Sequence, residues 1–132
     1  MNLLLIDSTK TELTVAVATD GEIIATQICT EQRKHDKNIN RLVKVCLANA
    51  KLDFADLSAV AVVVGDGSWT GIRVGLAVAK AYSYVLSVPI VELTGGIDLA
   101  AAIKKYNTGD TVNAFTVKPF YNGEFVVNKA KK

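Results

Sequence analysis

Two stretches of the chain carry residue types that could meet a phosphate. The first is Asp7-Ser8-Thr9, a polar turn that closes the apolar run beginning at Asn2. Its hydroxyls and backbone N–H groups could cradle an anion. The same three residues equally make an Asx or Ser/Thr turn that only redirects the chain. The second stretch is Gly65-Asp66-Gly67-Ser68-Trp69-Thr70-Gly71, continuing through Ile72-Arg73-Val74 to Gly75. Glycines there permit positive φ and close backbone approach, and the segment runs into a helix amino terminus, where unpaired N–H groups favour an anion. It lacks the Gly-Lys-Ser/Thr ending of a P-loop and does not match Gly-x-Gly-x-x-Gly. A ligand loop and a purely architectural strand-to-helix turn both fit it. The candidate phosphate or nucleotide contacts are therefore Asp7, Ser8, Thr9, Gly65, Gly67, Ser68, Thr70, Gly71 and Arg73. Acting together they would make the chain a nucleotide-binding lobe or a small phosphoryl-handling enzyme.

Other chemistries find less material. His35 is the single histidine, so neither a multi-histidine metal site nor a Ser-His-Asp triad can be assembled around it with an identifiable partner. It is expected to be a surface or interface residue, and no metal site is expected. The two cysteines, Cys29 and Cys46, fall in apolar runs and read as small hydrophobes rather than a disulfide framework. A formal net charge of +2 is too small for a broad nucleic-acid footprint, although Lys118, Lys129, Lys131 and Lys132 make the carboxyl end basic. That end, residues 128–132, is expected to be a solvated, frayed tail. The opening apolar run is broken by Asp7 and has no basic leader, which points to a cytoplasmic protein without a membrane span.

The elements that must position these residues follow from periodicity. With 132 residues, half of them apolar, the chain is expected to form one α/β domain. Asn2 to Asp7, Glu12 to Ala18 and Glu22 to Cys29 read as three strands in an antiparallel meander, with Asp20-Gly21 as a turn. From Asp36 to Ala50, Ile39, Leu42, Val43, Cys46 and Leu47 recur at helical spacing. Asp53 and Asp56 are placed to stop that helix or cap a short turn. Ala59 to Val64 is a β-branched run typical of a central strand. A helix is expected from about Gly71 to Leu86, a strand over Pro89 to Glu92 and a helix over Gly96 to Lys105. A hairpin, Thr111 to Val117 and Glu124 to Val127, turns around Tyr121-Asn122-Gly123. The order is βββαβαβα followed by ββ.

The helix after the glycine segment is apolar nearly all the way round. A helix lying on a sheet needs one apolar stripe, so the surplus should be covered by another helix, lobe or chain. Leu42, Val45, Trp69, Ile72, Leu76, Ala79, Tyr82 and Val85 are the expected partner-binding residues. A charge at Ala79 is expected to dissolve a dimer while leaving the monomer folded.

Gly65 to Gly75 resembles the Gly-Pro-Gly-Ser-Phe-Thr-Gly-Val-Arg-Ile-Gly signature of the TsaB (YeaZ) family, keeping every glycine with the Ser, Thr and Arg. The similarity extends to Ile6-Asp7-Ser8-Thr9, the Asp20-Gly21 turn, His35 and Val88-Pro89-Ile90-Val91, covering Met1 to about Lys105. The resemblance implies a single actin-like, RNase H-like lobe. It implies a non-catalytic scaffold that pairs with a TsaD-like transferase, with a second copy, or with both. In that family the helices matching Asp36–Ala50 and Gly71–Leu86 supply the pairing surface. TsaD transfers the threonylcarbamoyl group to adenosine in certain tRNAs, and a TsaE-like ATPase assists in bacteria; tRNA would be met only indirectly. No cofactor is expected on the chain by itself, which leaves ATP or ADP at a partner interface. Three features depart from the family: Asp66 stands where proline is usual, Thr116-Val117-Lys118 replaces an Asp-Ala-Arg-like stretch, and the second lobe is missing. A single lobe cannot enclose a nucleotide, so no autonomous ATPase activity is expected.

Overall fold

A computed structural model describes residues 1–31, 34–65 and 69–115. Five strands form one mixed sheet in the order β3-β2-β1-β4-β5. They are β1 (Asn2–Asp7), β2 (Leu13–Thr19), β3 (Glu22–Cys29), β4 (Ala59–Val63) and β5 (Ile90–Leu93). The first three make the expected antiparallel meander, with Asp7 opposite Thr14 and Leu13 opposite Cys29. β4 then pairs parallel to β1, and β5 parallel to β4. Such parallel neighbours require crossover connections, supplied by α1 (His35–Ala50) and α2 (Trp69–Leu86).

β4 is apolar at every position, and so is β1 from Leu3 to Ile6, because both sheet faces are covered there. On one face Leu4, Ile6, Val15, Val17, Val60 and Val62 pack with Ile39, Leu42, Val43, Cys46 and Leu47 of α1 and with Ile72, Leu76 and Ala79 of α2. On the other, a thinner layer rich in alanine joins Leu3, Leu5, Ala16, Ala18, Ala59 and Ala61 to Ala102 of α3 (Leu99–Thr108).

The helix ends show local chemistry that periodicity alone does not mark. α1 ends in a Schellman arrangement, with the Leu52 N–H on the Leu47 carbonyl at 2.9 Å and Lys51 N–H on Ala48 at 3.1 Å. Lys51 there adopts left-handed φ of 59°. The expected short turn follows as a 3₁₀ turn, Phe54–Asp56, where the Asp53 N–H donates to the Asp56 carboxylate at 2.8 Å. α3 begins three residues later than its apolar spacing suggests. Gly95 and Gly96 have φ of 81° and 130°, outside helical geometry, and Asp98 is the true cap, accepting from the Ala101 N–H at 3.1 Å. Of the expected terminal hairpin, Val112 makes a single antiparallel bridge to Ile90; positions 116–132 lie outside the described residues.

Candidate functional site

The β1 turn is stitched into the fold. Thr9 donates to one Asp7 carboxylate oxygen twice, from its N–H at 2.9 Å and from its hydroxyl at 2.6 Å. The Lys10 ammonium holds the other oxygen at 3.0 Å. Asp7, Ser8 and Thr9 are all buried. The Ser8 hydroxyl donates to the Gly71 carbonyl in the first turn of α2, at 2.5 Å. One turn further along α2 lies Gly75, where a Cβ would overlap Ser8 Oγ and stand 3.3 Å from Val62 Cγ2. Gly75 is thus the point at which α2 presses onto the sheet, and a hydrogen atom is all that fits between them.

On the outer side of the same turn, the Lys10 carbonyl accepts from His35 Nε2 at 2.8 Å. That bond requires the proton on Nε2. His35 Nδ1 is buried with no hydrogen-bond partner among the described residues. Lys10 was not among the sequence candidates, although its three-residue spacing from Asp7 was the available signal. Its ammonium reaches across to within 3.3 Å of where a Gly96 side chain would begin.

The nine candidate phosphate residues therefore divide. Asp7, Ser8 and Thr9 spend their polar groups inside the protein, and Gly65 and Gly71 are buried. Thr70 and Arg73 are exposed at the start of α2. Gly67 and Ser68 lie outside the described residues.

The expected partner face requires a larger correction. Leu42, Ile72, Leu76 and Ala79 lie in the core under α1 and α2, with Ala79 at 0% exposure, so their own chain already covers them. The reason is geometric: α1 and α2 lie side by side on one sheet face and absorb more of the apolar circumference of α2 than a lone helix on a sheet would. Val45 and Tyr82 are half-buried; the Trp69 side chain lies outside the described set. What remains exposed is one stripe of α2: Thr70, Arg73, Ala77, Lys80, Ala81, Tyr84 and Val85. Val85 is 76% exposed and Tyr84 67%. Tyr84, not one of the partner-binding residues expected from the sequence, meets Phe115 edge-on with ring centroids 5.9 Å apart. Tyr82 ties the two helices together, donating to Asn40 Oδ1 at 2.6 Å and packing on Phe54 at 5.2 Å between centroids. Burial raises the Tyr82 phenol pKa, which keeps that donor protonated. Lys37, Arg41 and Lys44 of α1 and Arg73 and Lys80 of α2 give this helical layer a basic outer side.

A family model described as TsaD, tRNA N6-adenosine threonylcarbamoyltransferase, matches residues 21–112. The tRNA threonylcarbamoyladenosine biosynthesis protein TsaB of Bacillus subtilis is 31% identical over 101 residues, spanning 76% of this chain and 44% of that protein. Among solved structures, YeaZ from Pseudomonas aeruginosa superposes with a TM-score of 0.67 at 22% identity, covering 70% of this chain and 43% of that one. The chain belongs to the TsaB/YeaZ family. A RuvC structure from Thermus thermophilus shares the fold, with a TM-score of 0.51 at 15% identity over 72% of this chain and 65% of that one. Together with YeaZ it makes the architecture a single actin-like, RNase H-like lobe, as the signature implied. The chain spans 31–51% of the length of the first curated relatives it matches. Within the segment from Gly65 to Gly75, Gly71 and Gly75 seat α2 on β1 and β4.

Proposed function

We propose that the chain is a non-catalytic scaffold in threonylcarbamoyladenosine modification of tRNA, and that it pairs with a TsaD-like transferase through the outer face of α1 and α2. The observation that carries this reading is the exposed stripe Ala77, Ala81, Tyr84 and Val85, with Val85 76% open to solvent. Large apolar side chains standing together on a helix are the usual anchors of an interface, and the basic residues around them supply a polar rim. The half-buried Val45 and Tyr82 join this face.

The β1 turn supports the non-catalytic part. A hydroxyl or carboxylate that handles phosphate must point at it, whereas Ser8 is buried against Gly71 and both Asp7 oxygens are engaged by Thr9 and Lys10. ATP or ADP is then a ligand of the assembled complex, completed by the partner, and tRNA is contacted through that partner. A TsaE-like ATPase would join the same assembly.

The test is co-elution of the purified chain with a TsaD-type transferase. Val85→Asp should remove the transferase from the complex while leaving the circular dichroism spectrum intact, and co-elution undiminished by Val85→Asp and Tyr84→Ala together would refute the interface. Calorimetric titration of the isolated chain with ATP and magnesium should give no heat of binding. A micromolar affinity would favour a nucleotide-binding lobe instead.

A further inference from the structure

The two edges of the sheet are built differently. Along β5, Val112 and Ile90 exchange backbone hydrogen bonds of 2.8 and 2.9 Å, and the Lys105 ammonium donates to the Glu92 carbonyl at 2.8 Å. The opposite edge is β3, which pairs with β2 alone among the described strands. Its eight residues contain no proline and no lysine, and Glu22 is their one charge. Proteins usually blunt a free edge with such residues, because its unpaired N–H and C=O groups are a template for another strand.

This edge also carries apolar side chains into solvent: Ile23, Ile24 and Ile28 are 46%, 44% and 54% exposed. The register explains how they come together. Ile23 lies opposite Ala18 and Ala25 opposite Val17, so Ile24 is the extra residue of a bulge. The bulge brings Ile23 and Ile24 to the same sheet face, which Thr26, opposite Ala16, and Ile28, opposite Thr14, share by alternation. Ala16 and Ala18 belong to the layer beneath α3. The isoleucines continue that layer past the reach of the helix.

We propose that β3 pairs antiparallel with β3 of a second copy, extending the sheet across a two-fold axis. The occupant follows from the sequence of the strand, which is symmetric about Thr26 on this face: Ile24, Thr26, Ile28. With Thr26 against its own copy, Ile24 of each chain meets Ile28 of the other twice, and the threonines pair at the centre. Ile–Ile and Thr–Thr pairs are favourable cross-strand neighbours. Glu22 falls opposite Thr30 of the second copy, so no like charges meet. An unrelated partner would have to reproduce this spacing by chance, whereas an isologous contact supplies it automatically. A seam of one strand and three isoleucines per chain is at the small end of specific interfaces, which makes the dimer weak and concentration-dependent. It uses the sheet edge and the α3 side, so it stands apart from the helical face assigned to the transferase.

Sedimentation velocity on the intact chain from micromolar to millimolar concentration tests it. A reversible dimer is expected, Ile28→Lys should raise its dissociation constant about tenfold or more by removing two Ile24–Ile28 pairs and burying two ammonium groups, and Val85→Asp should leave it unchanged. Register is read separately: in a Cys29→Ser background, Thr26→Cys should oxidise to a covalent dimer, because opposed Cα atoms lie about 4.5–5.5 Å apart. Gln27→Cys should not, since its copies would be about 8 Å apart. A monomer at every concentration, a dimer lost with Val85→Asp but kept with Ile28→Lys, or equal cross-linking at positions 26 and 27 would each overturn the proposal.

Discussion

Replacing Gly75 with alanine should destabilise the protein although alanine is the better helix former. The added methyl would overlap Ser8 Oγ and approach Val62 Cγ2 to 3.3 Å. Either the Ser8 hydroxyl rotates away from the Gly71 carbonyl, or α2 lifts off the sheet. The first route strands a buried polar group, at about 1–3 kcal/mol. The second strains a packed core by about 1–3 kcal/mol. Against these, Gly→Ala gains about 1 kcal/mol of helix propensity. A net loss of about 1 kcal/mol, rising to about 2, follows from either route, visible in urea or thermal denaturation as a few degrees in Tm. A second substitution isolates the cause. Ser8→Ala alone should cost about 1 kcal/mol for the lost hydrogen bond. In the double variant the obstructing oxygen is gone, the nearest Ser8 atom would be its Cβ at 3.6 Å, and the alanine at position 75 becomes nearly neutral. The two changes together should therefore cost about 1 kcal/mol, as Ser8→Ala does alone, rather than the sum of about 2–3 kcal/mol. Strict additivity, or a Gly75→Ala protein as stable as the parent, would refute the view that this glycine exists to let α2 approach Ser8.

Ala79→Asp should unfold the monomer, because it places an unpaired carboxylate at a position with no solvent exposure; Val85→Asp, by contrast, should leave Tm within about 1 kcal/mol equivalent of the parent, as measured by thermal melts. Burial pushes the Cys46 thiol up to about 11 and its S–H donates to the Val15 carbonyl, so iodoacetamide at mild alkaline pH should modify the half-exposed Cys29 first and reach Cys46 only on unfolding, as mass spectrometry will show. Because the folded value is raised above the ordinary 9.0, Cys46 leaves stability unchanged below about pH 9 and lowers it as pH rises from 9 to 11, which denaturation midpoints for the parent and Cys46→Ala can resolve. Lys51→Gly should stabilise the fold by about 0.5–1 kcal/mol in urea melts, since φ of 59° at the end of α1 suits glycine.

Periodicity placed nearly every element, because hydrophobic spacing records which faces meet the core. β1 and β3 have the bounds read from the sequence, and α1 differs by one residue. The errors lie where backbone conformation, rather than burial, sets the boundary. The spacing of Ile97 and Leu99 extends α3 back to Gly96, but the φ of 130° at Gly96 and the Asp98 cap move the start to Leu99. The partner face failed in another way. Composition showed that α2 is apolar on many sides but carried no information on how much of it α1 and the sheet would share. Ile72, Leu76 and Ala79 went inward, and Tyr84 and Val85 were left outside. Lys10 shows in the sequence only as a lysine three residues from Asp7, where such a side chain ordinarily faces water; the fold is what brings it to Gly96 as well.

The same difficulty explains why the glycine signature suggested two functions at once. Phosphate binding and close helix packing both call for residues without a Cβ next to small hydroxyls at a strand-to-helix junction, so residue types alone cannot separate them. At Ser8 and Gly75 the contacts are those of packing. Ser8 donates inward, to Gly71, and Gly75 meets Ser8 and Val62 rather than open space. Here the buried side is the restricted one, so Ser8, Gly71 and Gly75 hold α2 in the position that sets Tyr84 and Val85 on the outer face. Weakening this fastener should therefore reduce binding at that face, without any change to the residues that form it.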